Sequence, residues 1–473
     1  MTQQIFDTHT AYKPLVSLPW VVFPYTPGYF IAARLAGAMM GNLLAAGRAL
    51  SLVSTMGICL AIGLTVLKAT PDRIPLLWRL AAAAFGGAAP LAADSVLLWA
   101  PLMRVDMLAL LFMYSGLAVY IVLGKRERWQ FAAGAIFLLA LFTKETMVSG
   151  PLACLIFGLL ACPARTIRLY ASLAVAGLAG VFWLNAVTHG GFLTHIVQYN
   201  RNPFSWRFAV SQVYQHVHDE LPSVVLGAAA LLTILRPAQI RRNGWKRFLR
   251  VRCARPYDRA VAIASLNAVL AAISMLAIGK AGASVNYFLG WDISIGLLCG
   301  LLLFRLLATW ETRARPGSWG SLILAALLVL AVLVPSVRLV ASLLPSPDRV
   351  ARAKHDAALV RILRATPGPV MSENLLLPFQ AGKPVEIEPA TLSFLARAGQ
   401  WDERRYTALL DRQYFRVIVA HDIHDPEHYT PAVAAAIERA YFLERKVGTY
   451  MVYRPASTAA QGSSSEMERK CPN

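Results

Sequence analysis

Hydrophobic positions along this chain gather into long runs separated by short polar stretches. Runs near the roughly 20 residues that cross a bilayer lie at 42–67, 76–100, 107–123, 130–145, 146–162, 166–188, 222–236, 259–279, 288–308 and 318–344, some of them split by a polar break. The fourth, fifth and seventh are short or share a boundary with a neighbour. The pattern predicts an α-helical polytopic membrane protein with about ten transmembrane helices. After residue 344 the pattern changes. PSPD (345–348) is a hinge, DRVARAKHDAALVRILRAT (348–366) has helical spacing, and PAVAAAIERA (431–440) reads as another helix. PGPVMSEN (367–374), KPVEIEP (383–389), FRVIVAHD (415–422) and RKVGTYMVYRP (445–455) read as strands bounded by turn residues. The expected organisation is a segment 1–41, a transmembrane domain 42–344, a small α/β domain 345–460 and a polar, disordered tail 461–473. At roughly 110 residues, the C-terminal unit is large enough for its own core.

Composition agrees: 57% of the 473 residues are hydrophobic and 15% charged, against a charged share of about 25% in soluble domains. The net charge of +20 does not argue for nucleic acid, because the cations sit in short loops between apolar runs, where they set topology. One set of alternate loops holds Lys68, Arg73, Lys125, Arg126, Arg128, Arg165, Arg168, Arg313, Arg315 and the basic stretch 241–259; the other holds little beyond Arg104, Lys144, Arg201, Arg207 and Lys280. The richer set is cytoplasmic by this rule, which puts segment 1–41, everything after 344 and Asp106 on the opposite side. The first 41 residues lack the features of a signal peptide, and no apolar run precedes them to export them. The six cysteines show no metal or disulfide spacing, and no P-loop or GxSxG is present.

Against this background, the polar residues that interrupt apolar sequence stand out. Arg104 and Asp106 break LWAPLMRVDMLALLFM (98–113), Lys144 and Glu145 lie in FTKETM (142–147), and Lys280, Asn286 and Tyr287 lie in GKAGASVNYF (279–288). FPYTPGYF (23–30) places Pro24, Tyr25, Pro27 and Tyr29 ahead of the first run. Each has an ordinary explanation: a boundary ion pair for the charged groups, an aromatic belt with a proline-stiffened start for the last. Under the deduced topology, however, all four face the same side, which incidental pairs would not do. Cations there suit a phosphate, and a carboxylate suits proton abstraction from a hydroxyl or orientation of a sugar.

The order FPYTPGYF, AGRALSLVS (46–54), MRVDMLAL (103–110), LFTKETM, GKAGASVNYF and PVMSEN through WDERRY resembles the bacterial branch of the GT-C membrane glycosyltransferases, relatives of protein O-mannosyltransferases and of the lipid A aminoarabinose and galacturonic acid transferases. The resemblance covers residues 20 to 455. It implies a multi-pass protein of the bacterial inner membrane with an extracytoplasmic C-terminal domain. It implies a polyprenyl-phosphate sugar donor used there with inversion, an acceptor that is a lipid, glycan or protein, membrane lipids as surroundings, and no nucleic acid. Asp106 matches the family's second acidic position, and Tyr25 and Pro27 match its Tyr-Pro-Pro-like helix start. The family also implies a first transmembrane helix followed by the acid that acts on the acceptor. Here the chain begins inside that loop, with Asp7 the only acid before Tyr25, and that role is not carried over to it. A misassigned start codon is the favoured reading, a truncated, inactive copy the other. Asp106 is expected as the catalytic carboxylate, as orienter or auxiliary base; Arg104, Lys144 and Lys280 as phosphate-holding cations; Glu145, Asn286, Tyr287 and Tyr25 as further substrate contacts. No metal site is expected, and a divalent-metal requirement stays open. A polytopic transporter or lipid flippase is the rival reading, though no internal repeat is present.

Overall fold

The computed structural model describes residues 11–221, 255–313, 320–330 and 346–457, together with residues 2, 224, 225, 227 and 228. Asp7, the basic stretch 241–254, most of the 222–236 run, residues 331–345 and the tail from 458 onward lie outside the described residues. The membrane part is a helical bundle: α1 Gly28–Met40, α2 Leu43–Ala69, α3 Leu76–Ala88, α4 Asp94–Trp99, α5 Val105–Leu123, α6 Glu127–Leu141, α7 Ser149–Ala161, α8 Pro163–Val187, α9 Trp206–Asp219, α10 Pro256–Met275 and α11 Leu289–Arg313. Among the described residues five stretches, Leu43–Ala69, Val105–Leu123, Pro163–Val187, Pro256–Gly279 and Val285–Thr312, are long and apolar enough to cross a membrane.

Local chemistry sets the breaks. Gly41, in the left-handed region at φ 69°, ends α1, and the Asn42 side chain caps α2 by accepting from Ala45 N–H at 3.0 Å. The apolar run 76–100 is not one span: α3 stops at Ala88, a 3-10 turn covers Ala89–Ala92, and α4 follows. Pro90 explains the break, since its ring has no N–H and crowds the preceding turn. Segment 23–41 is not merely a rigid start, for α1 is a helix packed on α2. α3 and α11 touch backbone to backbone: a Cβ on Gly86 would lie 2.8 Å from Gly300 Cα.

The C-terminal region has α12 Pro347–Ala365 and a sheet in the order β1 Val370–Ser372, β2 Val417–Ala420, β4 Tyr450–Pro455, β3 Tyr441–Val447. β1 and β2 are parallel and the other pairs antiparallel. Helices α13 Pro389–Arg397, α14 Arg404–Asp411 and α15 Pro431–Ala440, with a short helical turn at Leu376–Gln380, complete it. Two strand expectations change. The final run is a hairpin, turned at Gly448 with φ 62°. KPVEIEP forms no strand; its Ile387 makes one parallel bridge to Trp20 of the N-terminal segment, flanked by Trp20 N–H to Glu386 O at 2.6 Å and Glu388 N–H to Trp20 O at 3.2 Å. Leu15, Trp20 and Val22 thus share one core with Ile387, Tyr406, Leu410 and Ile418.

Candidate active site

Asp106 lies in the first turn of α5, fully buried. An ionised carboxylate in that position needs donors, and the structure supplies three. Lys144 Nζ reaches Oδ1 at 2.5 Å, Asn286 Nδ2 donates to Oδ1 at 3.1 Å, and Trp99 Nε1 donates to Oδ2 at 2.8 Å. Arg104, at the N-cap of α5, lies 3.9 Å from Oδ2, stacks its guanidinium 5.4 Å from the Trp99 ring and donates to the Tyr25 hydroxyl at 3.3 Å. Lys144 is nearly as buried as its partner, with its ammonium 5.4 Å from the centre of the Tyr287 ring. Residues 38 to 180 positions apart along the chain therefore meet around one carboxylate. Charge and amide placement hinted at this centre; nothing in the spacing marked Trp99, seven residues before Asp106.

Other expected members sit apart from that centre. Lys280 donates to Asn200 Oδ1 at 2.5 Å, not to Asp106. Glu145 keeps one buried carboxylate oxygen without a hydrogen-bond partner. Burial pushes its carboxyl above the usual range, against the pull of its own backbone N–H and the Lys144 and Lys280 ammonium groups. Burial likewise pushes the Tyr25 phenol up to about 12, so it is protonated at neutral pH.

A cavity of about 960 Å³ opens next to this centre, between α1, the start of α2 and residues 375–386 of the C-terminal region. Tyr25, Tyr29, Phe30, Leu43 and Leu44 form part of its apolar wall, and Arg48, Arg104, Lys383 and Glu386 bring charge. Of the site residues expected from the sequence, Arg104 and Tyr25 line this cavity. Glu386 gave no signal, being a residue of a misread strand, whereas Arg48, inside AGRALSLVS, interrupts an apolar run as Arg104 does but was not among the expected site residues. Among the described residues no group of three or more His, Cys, Asp or Glu is placed to hold a metal ion.

ArnT from Cupriavidus metallidurans bound to undecaprenyl phosphate superposes with a TM-score of 0.56 and 16% identity, over 91% of this chain and 88% of that one. The chain has the fold of ArnT. The apo state of the same ArnT gives 0.54, and the Archaeoglobus fulgidus oligosaccharyltransferase complex with Zn and sulfate gives 0.52 at 11% identity, over 93% of this chain and 66% of that one. The shared architecture is the fold that the sequence resemblance implied. No protein-family model and no curated protein matches the sequence.

Proposed function

We propose that the protein is a membrane glycosyltransferase that takes a sugar from a polyprenyl-phosphate donor and passes it to a lipid, glycan or protein acceptor on the extracytoplasmic face of the bacterial inner membrane. One observation carries the reading: a guanidinium, Arg104, lining an apolar-walled cavity and held by Trp99 and a buried carboxylate. In this reading the lipid phosphate meets Arg104, and Arg48 adds a second cation. As the acceptor hydroxyl attacks the anomeric carbon and the sugar–phosphate bond breaks, negative charge grows on the phosphate. A fixed guanidinium stabilises that charge more than it stabilises the ground state. Asp106 acts as orienter, because all its donors already occupy both oxygens. Glu145 and Glu386 each keep one buried carboxylate oxygen without a hydrogen-bond partner, and Glu386, which lines the cavity, is the one placed to hold a sugar hydroxyl. Gathering of the charged cluster at one end of the helices, rather than at mid-bilayer, favours this reading over a transporter.

The test is undecaprenyl-phosphate binding by the full chain in detergent. A charge-assisted contact contributes about 1.5–3 kcal/mol, so Arg104→Ala should weaken binding roughly 10- to 100-fold. Unchanged affinity in a folded Arg104→Ala protein would end the proposal.

A further inference from the structure

Helix α9 crosses no membrane and is not needed by the mechanism above, yet its surface is sorted into three faces. Ala209, Val213 and His216 turn inward: Ala209 is fully buried, Val213 packs on the membrane core, and the His216 ring stacks on Phe288 at 4.0 Å and 12°. His216 Nε2 also meets Asp292 Oδ1 at 3.0 Å, and Asp292 accepts from the Ser95 hydroxyl, which locks the helix to the starts of α4 and α11. Trp206, Val210 and Tyr214 recur every four residues on a second face and are 66%, 60% and 71% exposed. Phe204 and Leu221 extend this stripe at either end, also exposed. Arg207, Ser211 and Gln215, exposed as well, form a polar third face.

We propose that α9 lies in the bilayer surface, with the Trp206–Val210–Tyr214 stripe in the headgroup–acyl boundary of the leaflet next to the site, and that this seat holds the Lys280 loop in place. Three observations identify the occupant as lipid. The inner face of α9 rests on Leu276–Gly279, the last turn of the span Pro256–Gly279, which puts it at the level where that span leaves the hydrocarbon. Tryptophan and tyrosine on one flank with arginine on the next is the chemistry of that boundary. A water-facing helix would gain nothing from exposing the stripe.

The consequence for the site runs through the backbone. Ser205 N–H, at the N-cap of α9, donates to Gly279 O at 2.8 Å, and Ala281 N–H donates to Pro203 O at 2.8 Å. Asn202 Nδ2 donates to Ala281 O at 2.8 Å, and Phe204 bridges Lys280. The loop that presents Lys280 is thus paired strand-like with the residues leading into α9, so whatever fixes α9 fixes the loop. The inference rests on the membrane reading and not on the transferase reading.

The experiment uses the full chain, its six cysteines replaced, in nanodiscs of phosphatidylethanolamine and phosphatidylglycerol. Nitroxides at 206, 210 and 214 are compared with nitroxides at 207, 211 and 215 for collision with oxygen, which concentrates in lipid, and with a water-soluble nickel chelate. The oxygen-to-nickel ratio should be several-fold higher at the first three positions. Equal ratios, with all six open to nickel, would overturn the proposal and leave a soluble protein partner as the occupant of the stripe. A label at Ala281 checks the coupling. Adding Trp206→Ser and Tyr214→Ser should give its spectrum a mobile component while a label at Val261 stays unchanged. An unchanged Ala281 spectrum would refute the link to Lys280, and loss of order at both sites would mean general unfolding and would also refute it.

Discussion

Removing the charge of Asp106 distinguishes an ion pair that orders the site from one that sits at its edge. The side chains of Asp106 and Lys144 are 1% and 2% exposed, and their charged atoms are 2.5 Å apart. Asp106→Asn keeps the shape but leaves a buried ammonium without a counter-charge, and sets a side-chain amide donor among the Lys144, Trp99 and Asn286 donors. Breaking a buried pair from one side costs about 3–5 kcal/mol, whereas replacing both partners with uncharged groups is often near neutral. Asp106→Asn and Lys144→Met should therefore each destabilise by about 3–5 kcal/mol, and the double variant should be more stable than either single one. Equilibrium unfolding of the purified full chain in one detergent reads all four corners of the cycle. The double variant then isolates function from folding. If the pair orients Arg104, undecaprenyl-phosphate binding stays weak in the double variant although stability has returned. Additive single costs below about 1 kcal/mol would refute the reasoning, since they would mean that water or lipid already screens the pair.

Other consequences are checked more briefly. Trp20→Ala should destabilise the sheet region by about 3–5 kcal/mol, because the ring is 4% exposed and packs edge-on against Trp401 and Tyr406; hydrogen exchange at β2 would show it. Trp20→Phe should cost less, since the indole N–H is buried without a partner and its loss removes that penalty. Burial lowers the His216 imidazole, but hydrogen bonding and charge from Asp292 outweigh it, with Glu220 and Asp219 adding, so the pKa ends above the ordinary value. The protonated ring's contribution is complete below about pH 6.5 and is lost as pH rises through the folded value. The melting temperature should fall from mildly acidic to alkaline pH, and less steeply in His216→Ala. Gly86→Ala should cost about 1–3 kcal/mol in thermal unfolding, because the new methyl meets the Gly300 backbone at 2.8 Å and the helices must separate.

What the sequence could disclose divides along physical lines. Spans such as Leu43–Ala69 and Val105–Leu123 were legible because the bilayer demands long apolar runs, and helix α12 because its period is local. The break at Pro90 lay within an apolar run, where hydropathy alone is blind to backbone geometry. The hairpin at Gly448 was legible only as its second half, since the Tyr441–Val447 strand alternates between half-buried and exposed and carries charge along its length. α9 was missed for the opposite reason: its mean composition is neither apolar nor plainly polar, and only its three-way sorting gives it meaning.

The site shows the same limit more sharply. That Arg104, Asp106, Lys144 and Asn286 belong to one end of the membrane part could be argued from loop charge and from the cost of isolated charges in lipid. Which of them face one another could not, because partner choice is set by tertiary packing over separations as large as 180 residues. Lys280 illustrates it: the same reasoning that placed Lys144 near Asp106 applied equally to Lys280, yet Lys280 is bound to Asn200. The difference lies in depth. Lys144 is enclosed by α5, α6 and the Tyr287 ring, where an unpaired ammonium would be costly, so it must take the buried carboxylate. Lys280 sits on a loop paired to the lead-in of α9, where a neutral amide suffices as partner. Burying two charges together confines them to one geometry, and that geometry leaves Arg104, less buried than Lys144, beside the pair and lining the cavity.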